Sequence, residues 1–193
     1  MKEMTNPRTL VLFAFIMVVA AFRVVTTSEE LNAISTFTPL GAMALFGGAH
    51  FRQHTKAFAF PLLALLISDL VLNRFVYGMG WSLYQGFYYV YGAFALMVLA
   101  GRAMQRAITV RNVLFSALFI TFIHWIVTDF GVWIGGTLYP KTWAGWWACL
   151  AAAIPFERNF LLGTLLYSAI MFGGMAWLQG RFPVLRSLQV AKA

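Results

Sequence analysis

The chain has 193 residues, of which 61% are hydrophobic and only 10% charged, with a formal net charge of +8. A soluble domain carries roughly 25% charged residues, so this composition excludes a water-covered globule and calls for lipid as solvent. The charge does not imply a nucleic-acid partner, because Lys and Arg stand at the ends of apolar segments and form no basic face. The single cysteine, Cys149, excludes an internal disulfide and a cysteine-based metal site.

The apolar residues fall into blocks near the ~20 residues that cross a hydrocarbon layer of about 30 Å. Segment one covers Thr9 to Val25. Lys2 and Arg8 before it suggest a secretory signal, but the run is long for a signal core and ends in Phe22 and Arg23. Segment two, Phe37 to Phe51, is short and interrupted by Pro39, Gly41, Gly47 and Gly48. Segment three spans Ala57 to Leu72, with Pro61 in its first turn, where proline is tolerated. Segment four covers Gly86 to Met104, segment five Val113 to Ile134 and segment six Phe160 to Leu178. Between five and six, Trp143 to Phe156 is an apolar stretch of about 14 residues. It is too short to span and is expected to lie in the interface or to re-enter. The expected fold is therefore an all-α bundle of about six transmembrane helices in one domain, residues 1–193, with no internal repeat.

Alternating the connections puts Lys2, Arg8, Arg52, Lys56, Arg102, Arg106, Arg111, Arg181, Arg186 and Lys192 on one side, against Arg23, Arg74, Lys141 and Arg158 on the other. The positive-inside rule assigns the richer side, with both termini, to the cytoplasm. Glu29, Glu30, Asp69, Asp129 and Glu157 fall toward the outer side and only Glu3 toward the inner.

Polar and aromatic residues collect at the outer ends. Glu29, Glu30, Asn32, Ser35, Thr36 and Thr38 lead into segment two. Asp69 and Asn73, four apart, share a helical face and precede Arg74, Tyr77, Trp81, Tyr84, Gln85, Tyr88 and Tyr89. Asp129 and Trp133 repeat that spacing, and Tyr139, Trp143, Trp146, Trp147, Glu157, Arg158 and Asn159 follow. Tryptophan and tyrosine serve as interface anchors in any membrane protein, but Trp81, Trp133, Trp143, Trp146 and Trp147 are one-sided, whereas a belt alone is more even.

Ionisable groups at membrane depth are costly and mark pathways or sites. Asp69, Asp129 and His124 qualify. For Asp69 the bland alternative is a helix-end carboxylate paired with Arg74; for His124 it is a structural histidine satisfied by Thr121 and Thr128. His50 and His54 lie on the opposite side, so no metal site is expected. The P-loop, the G-x-S-x-G elbow and the H-E-x-x-H helix are absent. Ala44 with Gly48, Gly131 with Gly135 and Ala169 with Gly173 are small pairs that allow close helix approach.

The run Phe37-Thr-Pro-Leu-Gly-Ala-Met-Ala-Leu-Phe-Gly-Gly-Ala49, then Pro61-Leu-Leu-Ala-Leu-Leu-Ile-Ser-Asp-Leu70, Gly131-Val-Trp, Tyr139-Pro140 and Ile154-Pro-Phe156 resembles a bacterial family of small, uncharacterised six-helix membrane proteins described as candidate transport proteins. More distantly, the chain is similar to the substrate-binding S-components of energy-coupling factor transporters, including solitary forms that handle corrinoids. That resemblance implies capture of a vitamin or metabolite from outside and, where a module is used, a separate energising transmembrane subunit with ATPases. S-components often carry Ala-x-x-x-Ala on the first helix for docking, and Ala14, Ala20 and Ala21 provide no such pair.

The expected function is binding and uptake of a small organic nutrient across the bacterial cytoplasmic membrane, without cofactor and without enzymatic activity. In the expected site Asp69, Asn73, Arg74 and Arg158 supply polar contacts and Trp81, Tyr84, Tyr88, Trp143 and Trp147 the walls, with Asp129 and Trp133 beside them. The rivals are an accessory membrane protein whose aromatic face binds protein or lipid, and an intramembrane hydrolase that pairs Asp69 with Asp129.

Overall fold

A computed structural model describes residues 6–26 and 37–186, and among them every regular element is helical. The helices are α1 (Pro7–Thr26), α2 (Leu40–His50), α3 (His54–Phe75), α4 (Phe87–Ala103), α5 (Val110–Gly135) and α6 (Trp143–Arg181), with 3-10 turns at Met104–Arg106 and Pro183–Leu185. All but α2 are long and apolar enough to cross a membrane, as a multi-pass membrane protein requires. Their outward faces carry Val18, Phe115, Phe119, Phe122 and Ile170, each more than half exposed.

α2 is the hub. It has only 11 residues, and all of them are buried; it packs against α1, α3, α4, α5 and α6. Between apolar helices in lipid, burial of apolar surface gives little drive, so close backbone approach carries the packing. Gly48 lies against the Val98 carbonyl and the Gly101–Arg102 backbone of α4, and Gly101 lies against Leu45 of α2. Gly41 receives the Thr164 side chain of α6. Phe46 lies between Phe15 of α1 and Phe172 of α6.

A short buried helix must still satisfy its last carbonyls. Gln105 Nε2 donates to Gly48 O at 2.8 Å and to Phe51 O at 2.7 Å, Arg102 Nη1 to Phe51 O at 3.4 Å, and Arg8 Nη2 to His50 O at 3.4 Å. Cations at a helix C-terminus also complement its dipole. Arg102 Nη2 also reaches the Arg52 carbonyl at 3.5 Å, so Arg8, Arg52 and Arg102 gather at one end of the bundle, the basic end. The far ends of α4, α5 and α6 meet through Tyr89, Phe130, Trp133 and Trp146 and form the aromatic end.

The stretch 143–156, expected to be interfacial or re-entrant, is instead continuous with the sixth segment. α6 is one helix of 39 residues, about 58 Å at 1.5 Å per residue. Pro155 removes only the hydrogen bond to the Ala151 carbonyl. Glu157, which reads as a polar break, turns inward onto α5. The turn before α6 is tightly specified: Trp133 Nε1 donates to Pro140 O at 2.8 Å, Lys141 Nζ donates to the Trp133 and Gly136 carbonyls, and Thr142 Oγ1 accepts from Gly145 N at 3.2 Å as the N-cap. Thr142→Ala is expected to cost about 1 kcal/mol of stability, read as a lower unfolding free energy in denaturant titration.

Candidate functional site

Two buried ionic clusters stand in the bundle, each built across helices. In the first, Arg23 of α1 reaches α3: its Nη1 lies 2.7 Å from Asp69 Oδ1 and donates to Ser68 Oγ at 2.5 Å. Tyr91 of α4 donates to Asp69 Oδ2 at 3.1 Å. Asp69 is only 2% exposed, and both its oxygens are engaged. Its cation is thus Arg23 and not Arg74, whose guanidinium lies over the Phe75 ring at 5.7 Å. Asn73, one turn on, donates to Ser82 O at 2.7 Å and ties the following loop to α3. Tyr84 of that loop is partly buried, and burial first, then the Asp69 charge, raise its phenol well above the ordinary tyrosine range.

The second cluster joins α5 to α6. His124 Nδ1 lies 2.8 Å from Glu157 Oε1, and the imidazole stacks on Phe160 at 4.1 Å and 11°. Thr121 and Thr128 do not reach the ring, because their hydroxyls donate to the Ala117 and His124 carbonyls. Asp129, buried on the same helix, lies within electrostatic reach of Glu157 and His124. Cys149 Sγ sits 3.7 Å from the Asp129 carbonyl.

Between the clusters, at the aromatic end, lies a cavity of about 380 Å³ walled by Tyr84, Tyr88, Tyr89, Thr128, Gly131 and Gly135. Tyr84 belongs to the surroundings of Asp69, and Thr128 is one turn from His124. A side chain at Gly131 would press on the Tyr89 ring. A second hollow of about 450 Å³ is lined by Phe130, Trp133, Trp143, Trp146, Lys141 and Thr142.

The expected site residues therefore distribute over several places. Tyr84 and Tyr88 wall the first cavity, and Trp133 and Trp143 line the second. Asp69 and Asp129 are buried between helices, and Asn73 is buried against the loop that follows its own helix. Trp81, Trp143 and Trp147 are exposed by 65%, 79% and 64%, Trp81 edge-on to Phe75. Arg158 points outward from α6. Glu29, Glu30, Asn32, Ser35 and Thr36 lie outside the described residues. Among the described residues no three His, Cys, Asp or Glu side chains gather as a metal site. Arg23, Tyr91 and the pairing of His124 with Glu157 are absent from the sequence-based site. Only their isolation in apolar runs singles them out there.

A family model described as a family of unknown function (DUF6580) matches residues 3–185. The chain belongs to this family. No curated protein and no solved structure matches it. Membership covers all six helices of the bundle, and with them both ionic clusters and both cavities.

Proposed function

We propose that the protein sits in the bacterial cytoplasmic membrane with both termini inside, and that it binds a small organic solute at the outer, aromatic end for uptake, in the manner of an S-component. The observation that carries this is the cavity of about 380 Å³ between the two ionic clusters. Small-molecule sites are clefts of about 300–1,000 Å³ with aromatic walls and a few fixed polar groups. Basic residues at the opposite end support the orientation by the positive-inside rule.

The accessory-protein reading draws on a specific feature, the outward-facing Trp81, Trp143 and Trp147, which suit a lipid interface or a partner's surface. The hydrolase reading has little support: Asp69 is taken by Arg23 and Tyr91, while the neighbours of Asp129 are His124, Glu157 and Cys149.

The test is a thermal-shift screen of the detergent-purified protein against vitamins, corrinoids, their precursors and nucleobases. A ligand held at 100 times its dissociation constant adds about 2.7 kcal/mol to the folded state. A hit is expected, and Tyr88→Ala and Thr128→Val should each weaken it at least tenfold while leaving the unliganded melting temperature nearly unchanged. No shift from any compound, with the protein folded and monodisperse, would move the balance to the accessory reading. Undiminished affinity in both variants would move the site elsewhere.

A further inference from the structure

Among the described residues, three buried side-chain atoms have no hydrogen-bond partner: Glu157 Oε2, Thr164 Oγ1 and Ser168 Oγ. All belong to α6, and all are at most 7% exposed. Their spacing of seven and four residues brings them within about 20° of one line along a helix of 3.6 residues per turn. The line runs about 16 Å along the axis. Buried polar groups without partners are few in native proteins, and each calls for an explanation such as ordered water or a catalytic role. Here three stand in file on one helical face.

The file meets a cavity at its Ser168 end and comes near one, through His124 and Thr128, at its Glu157 end. At its basic end Ser168 lines a hollow of about 380 Å³ together with Ile108, Thr109, Val113, Leu114 and Phe172. At its aromatic end Glu157 is held by His124, and Thr128, whose hydroxyl donates to His124 O at 2.7 Å, lines the outer cavity. Thr164 stands midway, against Gly41 at the start of α2. The titratable groups facing Glu157 from α5 are His124 and Asp129. α2 contributes none nearby, since its His50 lies at the other end against Phe172. Arg23 of α1 is engaged with Asp69.

We propose that this file is a proton path: Glu157 takes up and releases a proton at Oε2, exchanging it with the basic end through water ordered on Thr164 and Ser168. Protonation turns the carboxylate into a neutral acid and weakens its hold on His124. Release passes the proton to water at Thr164 and then at Ser168. Each hydroxyl accepts one hydrogen and donates another, so each is chemically unchanged after transfer. Intramembrane chains of Glu, Asp and His are the groups that relay protons in transporters. The inference rests on the uptake reading for its purpose, because a proton descending its gradient would supply the energy for accumulating a solute.

The experiment uses the full chain in lipid and no solute, so its failure is distinguishable from failure of the ligand screen. Infrared difference spectra after a pH jump should show a protonated-carboxyl band that disappears in Glu157→Gln. In Thr164→Val combined with Ser168→Ala the band should persist but appear at least tenfold more slowly, and Thr164→Ser alone should keep the wild-type rate. Circular dichroism and elution volume check that each variant is folded. An unchanged rate in the double variant, or no carboxyl band that depends on Glu157, would overturn the proposal.

Discussion

Arg23→Ala is expected to lower the unfolding free energy by about 3–5 kcal/mol, the cost of leaving one partner of a buried ion pair alone. The Asp69 side chain is 2% exposed and that of Arg23 16%, so little water can replace the lost guanidinium. The loss reaches past the pair itself. Arg23 belongs to α1, Asp69 to α3 and Tyr91 to α4, so removing the cation loosens the seam where three helices meet. Arg23→Ala combined with Asp69→Leu should recover a large part of the loss, because no charge is then left buried. Denaturant titration of the purified variants reads both effects. A single variant within 1 kcal/mol of the parent would mean that the pair is solvated.

The second large effect is expected at the crossing of α2 and α4. A Cβ at Gly48 would press on the Val98 carbonyl and lie 2.9 Å from Arg102 N. A Cβ at Gly101 would lie 2.9 Å from Leu45 Cα. Both obstacles are backbone, which cannot rotate away as a flexible side chain can. Gly48→Ala and Gly101→Ala should therefore each cost about 3 kcal/mol, the upper part of the range for overpacking. Gly173→Ala is the control, for nothing lies within 4 Å of its added carbon, and it should hold or slightly raise the melting temperature, since alanine favours the helix. Backbone propensity favours alanine over glycine inside a helix, so a loss at Gly173 equal to those at Gly48 and Gly101 would show that the crossing is not its source.

The long helices were legible because each is an unbroken apolar run long enough to cross a membrane. Segments read at 57–72 and 113–134 correspond to α3 and α5, which extend one to three residues further at each end. The division of 143–178 into two elements followed the apolar runs, which the polar Glu157-Arg158-Asn159 separates into one of about 14 residues and one long enough to span. In the folded chain Glu157 has a partner on α5, and one missing backbone bond does not end a helix. Of the small pairs, Ala44 with Gly48 does lie at a close crossing, whereas Gly135 and Gly173 face open space; spacing alone does not say which face meets a neighbour. Asp69 stood out by its depth in an apolar segment, but its partner Arg23 comes from another helix, and no local rule connects the two. The file Glu157, Thr164, Ser168 was visible as a spacing once α6 was known to be continuous, and hidden while the helix was cut between Phe156 and Phe160.

The shortness of α2 bears on how the chain is made. A helix of 11 residues, about 16 Å long, cannot be recognised as a stable crossing of a layer about 30 Å thick when it first leaves the ribosome. Its Gly48 and Phe51 carbonyls are met by Arg102 and Gln105, and its Phe46 by Phe172, all synthesised later; His50 O alone is met by the earlier Arg8. Until α4 has been made, α2 therefore lacks most of the groups that meet its end. α6 then closes around it. Biogenesis of this protein is set to finish at its last helix, and nascent chains truncated before Phe172 should be cleared as unassembled intermediates.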